Sequence, residues 1–339
     1  MTTAELVLVI IGAGATAYAL FGGADFGGGT WHLLIRGPRK HRARATIEHA
    51  MGPVWEANHV WLIFVLIGLF SAFPTAYGAL SRALTVPIGL ALIGIVLRGA
   101  AFVFAHNAYP VKDGVHHSPT GALWHRAFAI SSALTPAMLG LSLGALATGK
   151  LSSSSDIWAP FTFPLAWWGA ALTTAVAIML AAVFVCADAK RQYGSDDPLV
   201  EDCRRRALIS AIATGALALT GVPVLRDQAP NLADALFDRS PLLIGLSVAA
   251  GLATIALLWA RQYTWARLSA GLASAAVLWG WGWAQLPHFG IDGLTVESAA
   301  APSATLTVIA LILIAGFAVI IPALVVMFRV FQREPDRSL

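Results

Sequence analysis

Long uninterrupted runs of apolar residues dominate this sequence, and they constrain the fold more than any other feature. About 20 consecutive apolar residues suffice to cross the hydrocarbon core of a bilayer as an α-helix. Nine such runs occur, at residues 5–33, 60–81, 83–106, 128–148, 164–187, 207–225, 241–260, 267–287 and 305–328. The sequence therefore predicts an all-α, polytopic membrane protein with about nine transmembrane helices and no extramembrane domain.

The composition excludes several classes of protein. Only 12% of the 339 residues are charged, whereas soluble domains usually have about 25%. The net charge of +4 is too small to indicate a nucleic-acid partner, and the apolar content of 58% excludes a disordered chain. The two cysteines, Cys186 and Cys203, do not form a disulfide framework, and we expect both to be reduced near the cytoplasmic side.

The distribution of Lys and Arg predicts the orientation of the chain in the membrane. With nine spans, 17 of the 22 basic residues fall on one side, in alternate loops and the C-terminal tail. Basic residues concentrate in cytoplasmic loops, so we expect the N-terminus outside and the C-terminus in the cytoplasm. The first apolar run has no basic segment before it, and we interpret it as a retained helix rather than a signal peptide.

Ionisable and amide side chains within the apolar spans are the candidate functional residues. A charged group in a span costs about 2.5–3.5 kcal/mol on insertion scales, so it is a functional candidate by default. Three stretches contain such groups: the glycine-rich segment 22–29, the segment 55–61 (WEANHVW) and the third span. The candidates for a cytoplasmic proton path are Asp25, Glu56, Asn58, His59 and Arg98.

Two interpretations of these residues remain open. Asp25 and Arg98 each lie about 12 Å from the inner end of their spans, so these groups could line a water-filled proton path from the cytoplasm. Alternatively, Glu56 caps a helix start, and Asp25 with Arg98 is a buried pair that determines helix register. Small residues allow close helix contact in lipid, so helix packing is the expected role of Gly22, Gly23, Gly27, Gly28 and Gly29.

A dipeptide that recurs at the ends of two spans suggests an internal duplication. The first span ends in Ala24-Asp25 and the fifth in Ala187-Asp188, each before a basic loop. A duplication would divide the chain into a four-helix repeat at 1–148, a second at 149–287, and a peripheral ninth helix with a cytoplasmic tail at 288–339. A dipeptide is weak evidence, and chance similarity is an equal alternative. No motif of a soluble active site or a metal site is present.

The polar motifs together resemble those of subunit II of the cytochrome bd family of quinol oxidases. The resemblance rests on Asp25-Phe26-Gly27, on the segment 55–61 and on Arg98, in this order and spacing. It implies two four-helix bundles with a peripheral helix, in a bacterial cell membrane. It also implies that Asp25 and Glu56 belong to a proton path. Some family members carry an acidic residue where this chain has Val103, so the path here must differ.

The same resemblance implies the partners and cofactors. The partner is a subunit I that holds haem b, haem d and the quinol-oxidising loop, so this chain is expected to bind no haem and no metal. A structural quinone, a small third subunit and lipid are further expected partners, and nucleic acid is not. The leading hypothesis is an accessory subunit of a membrane quinol:oxygen oxidoreductase. The alternatives are a proton-coupled secondary transporter and a purely structural assembly subunit.

Overall fold

The computed structural model of the chain describes residues 1–51, 55–104 and 119–331, and helices account for nearly all of them. A π-turn at Tyr18–Gly22 joins the first two helices. In chain order the helices are α1 (Thr3–Ala17), α2 (Gly23–Leu34), α3 (Lys40–Met51), α4 (Trp55–Ala72), α5 (Pro74–Ala83), α6 (Thr85–Val103), α7 (Pro119–Ala147), α8 (Pro164–Tyr193), α9 (Pro198–Gln228), α10 (Pro230–Arg239), α11 (Pro241–Trp259), α12 (Tyr263–Gln285), α13 (Val296–Ala299) and α14 (Ser303–Phe331). Of the predicted cytoplasmic tail, which begins at Arg329, residues 332–339 lie outside the described residues.

The all-α, multi-pass prediction is confirmed, but the count of nine spans is not. Within the described residues, seven helices are long and apolar enough to cross a membrane, or eight when a bent pair counts as one span. The seven are Thr3–Leu34, Thr85–Val103, Thr120–Ala147, Pro164–Tyr193, Pro198–Gln228, Pro241–Trp259 and Ser303–Met327. The predicted span at 267–287 corresponds to α12, in which serine, glycine and tryptophan dilute the apolar residues.

The second predicted span, 60–81, is broken rather than continuous. Helices α4 and α5 are bent by 118° at Phe73. Pro74 is the first residue of α5, because proline has no N–H to donate and obstructs the helix that precedes it. The apolar run is therefore divided between α4 and the ten-residue α5, which together count as a span only as a bent pair.

Two groups of helices form the interior of the molecule. Helix α2 packs against both α7 and α8, and α7 also packs along α6. A second group brings α14 against α1 and α4, through buried Val7, Ile11, Phe64 and Leu313. The two parts of the first span therefore serve different groups: α1 packs with α4 and α14, and α2 with α7 and α8.

Ion pairs hold α3 against the start of α9. Arg39 donates to both carboxylate oxygens of Asp202 at 2.6 and 2.9 Å, and Arg42 donates to Asp197 at 2.9 Å. The hydrogen bond from Arg42 lowers the pKa of the Asp197 carboxyl. The stabilisation from this pair is therefore present above the ordinary pKa of aspartate, about 3.9, and is lost as the pH falls through the lowered value.

Close approach of α2 to its neighbours depends on glycine. An added Cβ at Gly27 would lie 1.9 Å from the carbonyl oxygen of Ala177 in α8, and one at Gly29 would lie 2.1 Å from Ser132 Oγ in α7. A Cβ at Gly23 would meet only Leu180 Cδ1, at 3.8 Å, which is ordinary contact. The assignment of helix packing to these glycines remains a prediction, and Gly27 tests it most sharply.

We predict that Gly27→Ala destabilises the protein by about 1–3 kcal/mol, the usual cost of overpacking, because the methyl group collides with rigid backbone. Thermal denaturation of the purified protein, followed by tryptophan fluorescence, measures the effect. Gly89→Ala in α6 is the matched control, since a Cβ there meets nothing within 4 Å and alanine favours helix. Equal melting temperatures for both variants would contradict the packing role of Gly27.

Candidate functional site

The candidate site is built around an irregular turn in the first membrane span. The π-turn at Tyr18–Gly22 lies immediately before Asp25, in the first turn of α2. Such a turn adds one residue and so rotates the following side chains by about 100° around the helix axis. π-Turns inside α-helices are common at functional sites. In this chain the turn sets the direction in which the Asp25 side chain leaves the span.

Asp25 and Arg98 form an ion pair in the interior. The Nη2 atom of Arg98 donates to Asp25 Oδ1 at 2.7 Å, and the two side chains are 0% and 3% exposed. The rings of Phe26 and Phe128 flank the guanidinium, with centroids 5.1 and 5.2 Å from Arg98 Cζ. The pair thus joins α2 to α6, and a ring from α7 completes its surroundings.

The second oxygen of the Asp25 carboxyl group is placed differently from the first. Asp25 Oδ2 is fully buried and accepts no hydrogen bond from the part of the chain that the structure describes. Nearby, the hydroxyl group of Tyr18 is also buried without a hydrogen-bond partner among the described residues, and its ring contacts that of Phe26 edge-on. One carboxylate oxygen is therefore held by the guanidinium, whereas the other retains the capacity to accept a proton.

The three candidates from the segment 55–61 occupy different environments on α4. Asn58 is buried, and its Nδ2 donates to the carbonyl oxygen of Phe21 in the π-turn at 3.4 Å. The His59 ring lies 6.3 Å from the rings of both Tyr18 and Phe26, measured between centroids. Glu56 is exposed on the first turn of α4. Asn58 and His59 therefore join the Asp25 site, and no described contact links Glu56 to it.

Several residues near the site were not among the predicted ones. Tyr18 and Phe128 contribute rings to it, and His32 is buried two turns beyond Asp25. His32 is grouped with Glu48 of α3 and His125 of α7, so that the three ligand atoms lie within 4.8 Å of one another. The signal for His32 was its position seven residues after Asp25, which places both on one helix face.

The end of α6 is apolar where some relatives are expected to be acidic. Val103 is 44% exposed at the last residue of α6. Its neighbour Phe104 stacks on Trp124 of α7 with 4.8 Å between ring centroids, and Phe102 contacts Phe128. A proton path that relies on a carboxylate at this position is therefore not available in this chain.

Sequence comparisons with known proteins all indicate the same family. The sequence model of the family described as "Cytochrome bd terminal oxidase subunit II" matches residues 3–331. A Bacillus subtilis (strain 168) protein, provisionally named cytochrome bd menaquinol oxidase subunit II, is 22% identical over 98% of this chain and 96% of its own length. The "Cytochrome bd-I ubiquinol oxidase subunit 2" of Escherichia coli (strain K12) is 24% identical over 42% of this chain and 35% of its own length.

The fold is also that of a solved structure. A chain in the structure of bd oxidase from Geobacillus thermodenitrificans superposes with a TM-score of 0.79 at 21% sequence identity. The superposition covers 99% of this chain and 100% of the other. The similarity therefore extends over the whole arrangement of helices, including the regions outside the polar motifs.

We predict that the energies of the Asp25–Arg98 pair are strongly non-additive. Arg98→Met alone leaves a buried carboxylate without its counter-charge, which typically costs about 3–5 kcal/mol. Asp25→Asn combined with Arg98→Met removes both charges, so the double variant is expected to be more stable than Arg98→Met. The thermal denaturation of wild type, both single variants and the double variant completes the cycle. Additive losses would show that the pair contributes no coupling energy.

Proposed function

The chain belongs to the cytochrome bd terminal oxidase subunit II family, and from this premise we propose that it conducts protons from the cytoplasm to the site of oxygen reduction. As a family member it is a membrane-embedded subunit of a quinol oxidase complex, an oxidoreductase. The proposal concerns the contribution of this subunit to that reaction. Reduction of oxygen to water consumes protons, and the buried carboxylate of Asp25 is the group that we propose carries them.

The observation that carries the proposal is the asymmetry of the Asp25 carboxylate. Arg98 binds one oxygen at 2.7 Å, while the other, Oδ2, is buried and accepts no hydrogen bond from the described residues. A carboxylate that only stabilises helix packing is expected to have both oxygens satisfied, since buried polar atoms usually are. Because the described residues leave Oδ2 without a donor, this atom can take a proton or a water molecule, which favours proton transfer over a purely structural pair.

Hydroxyl groups on the neighbouring helix provide a polar surface beside Asp25. Three buried side chains of α7, Ser131, Ser132 and Thr135, face the helices that carry the ion pair. A Cβ added at Gly29 of α2 would lie 2.1 Å from Ser132 Oγ, and one added at Gly94 of α6 would lie 2.5 Å from Thr135 Oγ1. Each of these hydroxyl groups donates to a carbonyl of its own helix. Its oxygen can still accept a hydrogen bond, so this surface suits water molecules that relay protons.

We place the entrance of the path at Glu56, which is exposed on the first turn of α4. An exposed carboxylate exchanges protons with bulk water, whereas Asn58 and His59 lie one turn or less farther along the helix, beside Asp25. The proposed order is therefore Glu56, then the region of Asn58 and His59, then Asp25. Arg98 has a positioning role, because its charge keeps Asp25 in one orientation.

The partner and cofactors in this proposal follow from the family. The complex contains haem, and we propose that haem b and haem d are bound by a subunit I, together with the quinol. A structural quinone, lipid and a small third subunit remain proposed partners of this chain. The proposed orientation keeps the N-terminus outside and the C-terminus in the cytoplasm. Family membership disfavours the transporter alternative.

Repetition of helix geometry supports the proposed division into repeats at 1–148 and 149–287. A long helix is followed by a proline-led helix of 10 residues and then one of 19, both in α4–α5–α6 and in α9–α10–α11. The joining residues Phe73 and Ala229 have similar backbone angles, with φ of −133° and −144° and ψ of 61° and 62°. Helix α14, in the third division, 288–339, packs against α1 and α4.

The presence of an oxidase complex is tested by the reduced-minus-oxidised spectrum of the complex that co-purifies with this chain. We expect a haem d band in the red together with haem b signals. A spectrum with haem b alone would indicate a related oxidase with a different third haem. An intact preparation without haem would overturn the proposal.

We predict that Asp25→Asn reduces the rate of oxygen consumption by about tenfold or more, because the amide cannot accept and release a proton as a carboxylate does. Asparagine retains the size of the side chain but leaves the buried Arg98 charge without the counter-charge of Asp25, so some loss of assembled complex is expected as well. The rate per haem separates this loss from the loss of proton transfer. Oxygen consumption with excess quinol, normalised to haem, measures the effect.

Glu297→Gln is the matched control for this variant, because it neutralises an exposed carboxylate on α13. This short helix packs near Val7 at the start of the first span, and Asp25 lies near the other end of that span. It should leave the rate unchanged. A full rate in Asp25→Asn would remove this residue from the proton path. A loss of assembled complex with an unchanged rate per haem would instead support the purely structural alternative.

A further inference from the structure

A second cluster of ionisable side chains lies beyond the Asp25 site and is not used by the proposed proton path. His32 is 6% exposed in the last turn of α2, and its Nε2 atom lies 3.8 Å from Glu48 Oε1 of α3. His125, in the second turn of α7, completes the group, and the three ligand atoms lie within 4.8 Å of one another. Three separate helices therefore contribute one metal-ligating side chain each.

The types of side chain in this cluster match a borderline divalent metal ion. Two imidazole nitrogens and one carboxylate oxygen form a ligand set that Zn²⁺ binds in proteins, usually with a fourth, open position. Ligands of a tetrahedral zinc ion at 2.0–2.1 Å lie about 3.4 Å from one another. The ligand atoms are at present up to 4.8 Å apart. Side-chain rotations that move each atom by about an ångström would bring all three within bonding distance of one ion.

The fold holds the three helices in place around the cluster. Arg44 donates to the main-chain carbonyl of His32 at 2.6 Å, which ties α3 to the end of α2. The His32 ring packs edge-on against Phe128 of α7, with 5.5 Å between ring centroids. Phe128 is one helical turn after His125 and is the same ring that flanks Arg98, at 5.2 Å. The cluster is thus separated from the Asp25–Arg98 pair by a single aromatic side chain.

We propose that His32, Glu48 and His125 form a binding site for a divalent transition metal ion of the zinc class, at the inner end of α2. The bound ion links the end of α2, α3 and the start of α7. It neutralises the Glu48 carboxylate and fixes the position of Phe128 against Arg98. Because the three ligands come from three helices, the bound ion adds its binding free energy to the stability of that arrangement, and water fills the fourth position.

The alternative explanation is an ion pair without metal. His32 and Glu48 alone would form such a pair when the imidazole is protonated. That explanation does not require a third ligand-bearing side chain from another helix within 4.8 Å. The two explanations predict different metal contents, which can be measured whether or not the complex has oxidase activity.

The test uses the intact complex, purified through an affinity tag that contains no histidine, because a polyhistidine tag itself binds zinc. After removal of loosely bound metal with EDTA, the complex is equilibrated with Zn²⁺ and passed through a desalting column. Mass spectrometry of the metals gives zinc per complex for wild type, Glu48→Gln, His125→Gln and His49→Ala. His49 is the matched control, since it is exposed on α3 beside Glu48 and lies outside the cluster.

We expect wild type and His49→Ala to retain one more zinc ion per complex than Glu48→Gln and His125→Gln. Competition with a zinc indicator should show that each of these two substitutions weakens binding by more than about 100-fold, because loss of a direct ligand exceeds the 10–100-fold effect of outer-shell partners. Zinc content that is absent in wild type, or unchanged in both variants, would overturn the proposal.

X-ray absorption at the zinc edge of the wild-type complex gives an independent result if the variants do not assemble. The proposal requires nitrogen and oxygen neighbours at about 2.0–2.1 Å and the scattering pattern of two imidazoles. A sulfur shell at about 2.3 Å would assign the zinc to cysteine and overturn the site. Neither measurement depends on proton transfer through Asp25, so the metal site and the proposed function can fail separately.

Discussion

The interaction on which the rest of this structure depends is the ion pair between Asp25 and Arg98. Either charge alone would be costly in a membrane span, and together they are tolerated because a 2.7 Å hydrogen bond and two aromatic rings replace the lost hydration. A buried pair of this kind contributes little net stability compared with well-packed apolar side chains. Its effect is selective: any arrangement of α2 and α6 that separates the two charges is strongly disfavoured.

The pair can form only because the surrounding backbone departs from regular, evenly spaced helices. The π-turn at Tyr18–Gly22 sets the rotation of α2, and Asn58 donates to a carbonyl group within it. Irregular backbone is tolerated at membrane depth only where protein groups satisfy it. The absence of a side chain at Gly27 then lets α2 approach the backbone of α8. The position of one carboxylate thus depends on a turn, an amide and a glycine from three places in the fold.

The helices α4–α5–α6 and α9–α10–α11 follow the same order of lengths in their last two members, but their interior polar residues differ. Arg98 and Thr254 occupy the same position, the fourteenth residue, in the 19-residue helices α6 and α11. Thr254 donates to its own helix at Ala250. At the end of α8, Asp188 is paired with Arg267 of α12 and with Arg191 of its own helix, and its side chain is 20% exposed. Asp25 therefore lies in a fully buried ion pair, whereas Asp188 lies in a partly exposed one.

The sequence by itself determined the membrane class, the positions of most helices and the set of charged groups that had to be accommodated in the interior. These follow from local properties, because hydrophobicity along 20 residues decides whether a helix enters a bilayer. The break between α4 and α5 was also encoded locally, by Pro74. The sequence nevertheless predicted one continuous span there, because the residues on both sides are apolar. The resemblance to the family was also visible in the sequence, since the order of the polar motifs along the chain does not depend on packing.

Only the tertiary structure decided which of those charged groups meet. Arg98 is 73 residues from Asp25, and their contact depends on the rotation of two helices, which hydrophobicity does not specify. For the same reason the sequence did not separate exposed Glu56 from buried Asn58, two residues apart on one helix. The grouping of His32, Glu48 and His125 was equally hidden, because each belongs to a different helix. Local patterns set what each helix contains, and packing between distant helices sets what its side chains face.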